Sequence, residues 1–178
     1  RMRLVDSLSE IGQANWDGLL QLQTKPNPFL SYAFLHALHE SGSASTKTGW
    51  TPRFISIWND QELMAAMPLY EKSHSYGEYV FDWAWANAYH QHGFAYYPKL
   101  LSAIPFTPIE GNRLLARDQQ AQQELIRNLQ AITQSGLYSS CHLLFPTEPE
   151  IGVLQQAGFM TRQGVQFHWQ NQNFQDFE

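Results

Sequence analysis

The sequence predicts a single α+β domain in which helices flank a mainly antiparallel, mixed sheet. Three observations predict it. Segments with apolar residues at helical spacing alternate with short runs of two-residue period, in the order strand, two helices, hairpin, strand, helix, strand, helix and closing strands. The chain has 178 residues, the length of one domain that can bury its own core. No internal repeat, charge block or linker divides it.

The elements follow in order. Arg3 to Val5 reads as a short strand, and a helix starts after Ser7 or Ser9 with Ile11, Trp16, Leu19 and Leu20 facing inward. Pro26-Asn27-Pro28 ends it, Ser31 caps a second helix carrying Phe34, Leu35 and Leu38, and Gly42 stops that one. Arg53 to Trp58 and Leu63 to Tyr70 make a hairpin about the Asn59-Asp60 turn. Leu100 to Ile104 and Arg113 to Ala116 read as strands joined by the rigid Pro105-Phe106-Thr107-Pro108 loop. Asp118 caps a helix with Ala121, Leu125, Leu129 and Ile132 on one face, closed by Gly136. Tyr138 to Phe145 is a strand, and Thr147-x-x-Glu150 is a capping box opening a helix that ends at Gly158. Phe159 to Arg162 and Val165 to Trp169 complete the chain as two further strands around Gln163-Gly164.

Composition narrows the function. Lys and Arg number 11 against 16 Asp and Glu, a net charge of −5, so no overall positive field attracts a phosphate backbone, and duplex nucleic acid is not expected as a partner. One cysteine, Cys141, excludes a disulfide framework and a multi-cysteine zinc site from this chain alone, and a reduced cytoplasmic compartment is the simplest expectation. No window reaches the roughly 18 apolar residues of a membrane span. Aromatics reach 14% while charged residues are only 15%, and the stretch from Lys72 to Leu101 concentrates aromatic, histidine and acidic residues without regular period.

The segments Pro28-Phe29-Leu30-Ser31, Gly49-Trp50-Thr51-Pro52-Arg53, Lys72 through Ala86, Tyr96-Tyr97-Pro98-Lys99-Leu100 and Pro105-Phe106-Thr107-Pro108 resemble the FemAB-like family of bacterial N-acyltransferases. The element order, with Ala157-Gly158-Phe159 after the last helix, resembles the acyltransferase fold of the GNAT superfamily. The resemblance implies a GNAT-like domain covering residues 1–178 and a function in moving an acyl or aminoacyl group to an amine, as in peptidoglycan biosynthesis. It implies acyl-CoA or aminoacyl-tRNA as donor and a small-molecule or cell-wall precursor as acceptor. Family members are similar to two such domains in tandem, so a second GNAT-like domain is the implied partner, and His168-Trp169-Gln170-Asn171 through Phe174-x-x-Phe177 looks like the passage into it. A half exposing that surface is expected to be able to self-associate. The Gln/Arg-x-x-Gly-x-Gly/Ala loop that holds a CoA pyrophosphate elsewhere in the superfamily is not found here.

Acyl transfer to an amine needs a base, oxyanion donors, an acid for the leaving group and an enclosing surface. Glu78 and Asp82 are the candidate bases, since an aromatic setting raises a carboxylate toward a useful range, and Tyr97 is the candidate proton or hydrogen-bond donor among the catalytic groups. Tyr76 and Tyr96 offer further donors, while Trp83, Trp85 and Phe106 could wall the substrate. Lys99 and Arg113, with Arg53, could neutralise a phosphate or carboxylate, His74 lies beside Glu78, and Thr107 sits in a turn of the kind found at cleft edges. Each has a structural alternative: satisfied buried carboxylates, core tryptophans and a rigid proline turn. His74 with Glu78, or His90 with His92, supplies zinc-ligand types, but no metal site is expected. The competing functions are a non-catalytic glycan or peptide recognition module and, third, a metal-dependent hydrolase.

Overall fold

A computed structural model describes residues 1–80, 82–173 and 176; Phe81, Phe174 and Phe177, which the sequence resemblance includes, lie outside the described residues. Strand β1 (Met2–Val5) leads into a single 3-10 turn at Leu8–Glu10 and helix α1 (Gln13–Gln21). The helix starts later than predicted because Gly12, at φ 84°, lies outside helical conformations. Ser31 caps α2 (Tyr32–Glu40) by accepting from Phe34 N–H at 3.3 Å. The indole N–H of Trp16 in α1 donates to Leu30 O at 2.8 Å, which fixes the entry to α2.

Next come β2 (Trp50–Pro52), β3 (Phe54–Asn59), β4 (Glu62–Met67) and β5 (Tyr70–Lys72). The predicted strand from Leu63 to Tyr70 is divided at Pro68, which has no N–H for the ladder, and Arg53, the predicted start of its partner, separates β2 from β3. A bond from Arg53 N–H to Leu69 O at 2.8 Å carries the hairpin across the break. One hairpin therefore serves two sheets. Helix α3 (Trp83–Gln91) and strands β6 (Lys99–Ser102) and β7 (Leu115–Ala116) follow, then α4 (Gln119–Thr133), β8 (Cys141–Leu143) and α5 (Glu148–Gln156). The first sheet has the order β1-β3-β4-β7, all antiparallel; the second is β2-β5-β6-β8, in which only β6 and β8 run parallel.

Alternation along β3 sorts the core. Phe54 and Trp58 pack with Trp16, Leu19 and Leu35 of α1 and α2 on one face, while Ile55 and Ile57 meet Leu125 and Leu129 of α4 and Leu154 of α5 on the other. The sheet lies between two helical layers.

Strands β6 and β7 lie along one line against β5 and β4, and the chain leaves that line between them as the excursion 103–114. Arg113 holds the excursion from inside. It is fully buried, and its guanidinium donates to Leu144 O at 2.8 Å, Gly111 O and Ile109 O at 3.0 Å and Asn112 O at 3.2 Å. Buried Glu150, the third residue of α5, accepts from Arg113 N–H at 2.8 Å and Leu114 N–H at 2.7 Å as well as from Thr147 N–H at 3.1 Å. Its capping-box oxygen and its other oxygen thus tie helix to excursion.

The closing strands do not form. Residues 159–172 carry no regular structure, with Met160, Val165 and Phe167 almost fully exposed. A two-stranded ribbon needs a third strand or a packed face to persist, and none of the described strands pairs with these residues. The segment is tied by Gln155 Nε2 donating to Thr161 Oγ1 and Gln166 Nε2 donating to Pro108 O, both at 2.9 Å.

Glu150→Ala is expected to lower stability by roughly 3 kcal/mol, because it leaves two buried amides unpaired and removes the charge facing buried Arg113. Urea unfolding measures the loss, and a change under about 0.5 kcal/mol contradicts this role.

Candidate active site

In the antiparallel register Lys72 at the end of β5 stands directly opposite Lys99 at the start of β6. Paired residues project from one face of a sheet, so two ammonium groups share that face, and neither lysine is exposed at all. Two buried like charges require counter-charges. The chain supplies them from the loop between these strands, which brings back Glu78 and Asp82, each only 4% exposed.

Glu78 is turned inward by its neighbours. Gly77 at φ 79° and Tyr79 at φ 58° both adopt left-handed backbone around it. A Cβ at Gly77 would lie 2.6 Å from the Phe106 ring, so only glycine allows the loop to pass beneath that ring. Lys99 Nζ donates to Glu78 Oε2 at 2.8 Å, to Asp82 Oδ2 at 2.5 Å and to Ser75 Oγ at 2.9 Å. Its three hydrogens are therefore all placed. Lys72 Nζ lies 4.0 Å from Glu78 Oε1, donates to Tyr76 O at 3.3 Å and sits 3.7 Å above the Trp50 ring. Glu78 Oε1, Asp82 Oδ1 and Trp50 Nε1 are buried and have no hydrogen-bond partner among the described residues.

The two carboxyls differ electrostatically. Burial raises the pKa of Glu78, and the opposing pull of Lys99 and Lys72 does not cancel the rise. Burial acts on Asp82 in the same sense but is outweighed by hydrogen bonds from Lys99, Ser75 and Tyr96, so Asp82 is held below its ordinary range. The expectation that both would be raised is met by Glu78 alone. Burial lowers Lys72 to about 7 against the attraction of Glu78, with Lys99 adding repulsion.

Around this core, Ser75 Oγ meets Tyr97 Oη at 2.8 Å. Tyr96 Oη donates to Asp82 Oδ2 at 2.7 Å and lies 3.3 Å from His142 Nε2, which is 2.9 Å from Ser140 Oγ. The structure thus brings together the predicted Glu78, Asp82, Tyr96, Tyr97 and Lys99. It adds Lys72, Ser75 and His142, which sequence reasoning left out; the paired strand positions of Lys72 and Lys99 were the available signal.

Tyr76, Trp83 and Phe106 form a partly exposed rim: Tyr76 is 5.4 Å from Trp83 between ring centroids, and Phe106 is 5.4 Å from Trp50. Trp83 and Trp85 are on a helix, so they project about 200° apart and do not share the face that a strand would have given them. His90 and His92 lie in the last turn and at the cap of α3. The His74 ring packs beneath Gly49, and its Nδ1 accepts from Tyr76 N–H at 3.2 Å. Thr107 Oγ1 donates within its own turn to Pro105 O at 3.0 Å. Arg113 belongs to the excursion and is not a substrate group, because its donors are spent on carbonyls. Arg53 pairs with Asp6 at 2.6 Å and Glu71 at 3.5 Å. Among the described residues, no three His, Cys, Asp or Glu side chains converge as a metal site would require. The N-terminus of α4 is closed by Asp118, whose carboxylate accepts from Ala121 N–H at 2.8 Å.

The profile of the FemAB-like family, described as peptidoglycan biosynthesis/recognition, matches residues 7–178. This chain belongs to the FemAB-like family. Among solved structures, it is similar to the aminoglycoside N-acetyltransferase AAC(6')-Iy in complex with CoA, with 12% identity, a TM-score of 0.51 and coverage of 96% of this chain and 99% of that one. It is also similar to a ribosomal-protein-alanine N-acetyltransferase from Brucella melitensis biovar Abortus 2308, with 11% identity, a TM-score of 0.49 and coverage of 96% and 99%. The fold is that of the GNAT acetyltransferases. No curated protein sequence matches the chain significantly. No helix among the described residues of this FemAB-like chain is long and apolar enough to cross a membrane.

The depressed pKa of Lys72 fixes a sign. A base whose folded pKa lies below its unfolded value contributes stability that is complete above the unfolded value, 10.5, and is lost as pH falls through about 7. Stability should therefore fall from pH 9.5 to 7 by up to about 1.4 kcal/mol per unit, and Lys72→Met should flatten that slope. Urea titrations across this range test it; equal slopes for both proteins contradict it.

Proposed function

We propose that this FemAB-like chain is an N-acyltransferase domain that moves an acyl or aminoacyl group onto an amine of a peptidoglycan precursor. The single observation that carries the reading is the buried Lys72–Glu78–Lys99–Asp82 cluster on an acetyltransferase fold, with one oxygen of each carboxyl lacking a hydrogen bond among the described residues. Glu78 is the base: its pKa is raised, and Oε1 is free to take a proton from the attacking amine. Asp82, held ionised, positions Lys99. As substrate enters, the Lys99 ammonium exchanges its bond to Ser75 for one to the oxyanion and then protonates the leaving group, after which Glu78 returns the proton to Lys99 across their 2.8 Å bond. Tyr97 steadies Ser75, and Tyr76, Trp83 and Phe106 are displaced from above the cluster as substrate enters.

The donor is an acyl-CoA or an aminoacyl-tRNA. Asp118 already occupies the α4 N-terminus, which disfavours a pyrophosphate there and favours a donor bound through other groups. A second GNAT-like domain and a cytoplasmic location complete the proposal; the exposed Met160, Val165 and Phe167 give such a domain an apolar surface to cover.

A non-catalytic reading has one observation in its favour: the charges are closed over, while Trp85 and Tyr76 remain exposed as stacking surfaces for a glycan. Two measurements on the full-length protein separate the readings. Calorimetry with acyl-CoA thioesters and with charged tRNA should give heat with one of them, and Glu78→Gln should then reduce transfer about 100-fold or more with the fold intact by circular dichroism. Binding of muropeptides without transfer from either donor sinks the transferase.

A further inference from the structure

The four charged groups of the cluster are buried, so any proton they exchange with solvent must pass through other groups. Two hydrogen-bonded branches leave the Lys99–Asp82 pair. One ends at Tyr97, through Ser75. The other runs from Asp82 Oδ2 to Tyr96 Oη and then to His142 Nε2 and Ser140 Oγ on and beside strand β8, where His142 and Ser140 are only partly buried.

The donor at Tyr96 follows from valence. Tyr96 has one hydroxyl hydrogen and gives it to Asp82, so toward His142 it can only accept, and the branch is continuous in the His142 tautomer that carries its hydrogen on Nε2, between Tyr96 Oη at 3.3 Å and Ser140 Oγ at 2.9 Å. Burial, reinforced by the nearby Lys99 charge, lowers His142 to about 4 against the opposing attraction of Asp82, with Arg162 lowering it further, so the ring is neutral near pH 7. A neutral imidazole can take a proton at one nitrogen as it releases one at the other.

We propose that Tyr96 and His142 form the proton route between solvent and the buried Lys99–Asp82 pair. His142 takes a proton from solvent at Nδ1 as its Nε2 proton passes to Tyr96 Oη, and the proton already on Tyr96 passes to Asp82 Oδ2. Asp82 Oδ2 is 2.5 Å from Lys99 Nζ, so a Lys99 that has given up a proton is restored to the ammonium form. The reverse sequence exports a proton. His142 thereby sets the rate at which a cluster that it does not touch exchanges protons with solvent. This inference rests on the bonding pattern and stands apart from the acyl-transfer reading, so it is tested without substrate.

The test is the exchange rate of the Lys99 ammonium protons with water, read by nitrogen-15 NMR of lysine-labelled protein at neutral pH. The variants are His142→Phe, His142→Gln and Tyr97→Phe. Glutamine keeps an N–H donor for Tyr96 and Ser140 but cannot pass a proton on, which separates transfer from packing. Exchange should slow about tenfold or more in both His142 variants and stay within about twofold of wild type in Tyr97→Phe. Unchanged exchange in both His142 variants overturns the route. So does slowing in His142→Phe alone, which reports packing, or equal slowing in Tyr97→Phe, which places the exit elsewhere. If a His142 variant does not fold, Tyr96→Phe interrupts the same branch and must give the same slowing.

Discussion

The site depends on one constraint, the register that sets Lys72 against Lys99 on neighbouring strands with no solvent on either. Two buried cations on one sheet face are untenable without anions of matching number, and the connecting segment is bent to deliver two. The left-handed turns at Gly77 and Tyr79, the closeness of Gly77 to the Phe106 ring and the stacking of Lys72 on Trp50 all follow from bringing Glu78 back over the strand ends. The cluster has no formal net charge when all four groups are ionised, yet it is asymmetric. Asp82 accepts from both Lys99 and Tyr96 and is held below its ordinary range, whereas Glu78 accepts from Lys99 alone and has an elevated pKa. That difference gives two similar carboxyls separate roles.

A second buried arrangement performs structural work of the opposite character. Arg113 meets four backbone carbonyls, and Glu150 meets the amides at the return of the excursion, so the two groups satisfy a piece of irregular backbone that interrupts the β6–β7 line. The excursion in turn carries Phe106 onto the loop of Glu78. Fold and site are thus linked through one phenylalanine, itself at φ 58°.

The helices with a side-chain cap were the most legible elements. Ser31, Asp118 and the Thr147-x-x-Glu150 box each cap the helix that the sequence assigns to them, because capping is a local matter of one side chain and the next three amides. Strand limits were less legible: Leu63 to Tyr70 has an unbroken apolar pattern, but Pro68 splits it between two sheets. The two closing strands failed because alternation records a preference for pleated structure and says nothing of whether a partner is available. Trp83 and Trp85 stand in a stretch without regular period, where the helix α3 was not legible.

The site was half legible. Glu78, Asp82, Tyr96, Tyr97 and Lys99 stand in an aromatic, irregular stretch whose residue types suit proton transfer, and the sequence by itself determined that they belong to one candidate region, along with the family resemblance and the acyltransferase fold. Lys72 and His142 were not legible, since each sits on an ordinary strand and acquires meaning only from what lies across from it. Arg113 was misread for the same reason: a guanidinium binds phosphate or backbone carbonyls with the same donors, and only the surrounding chain decides which is present. What the tertiary structure alone decided is therefore the pairing of charges. Whether a lysine is a solvated surface group or half of a buried pair depends on register and burial, quantities fixed by contacts between residues distant in sequence.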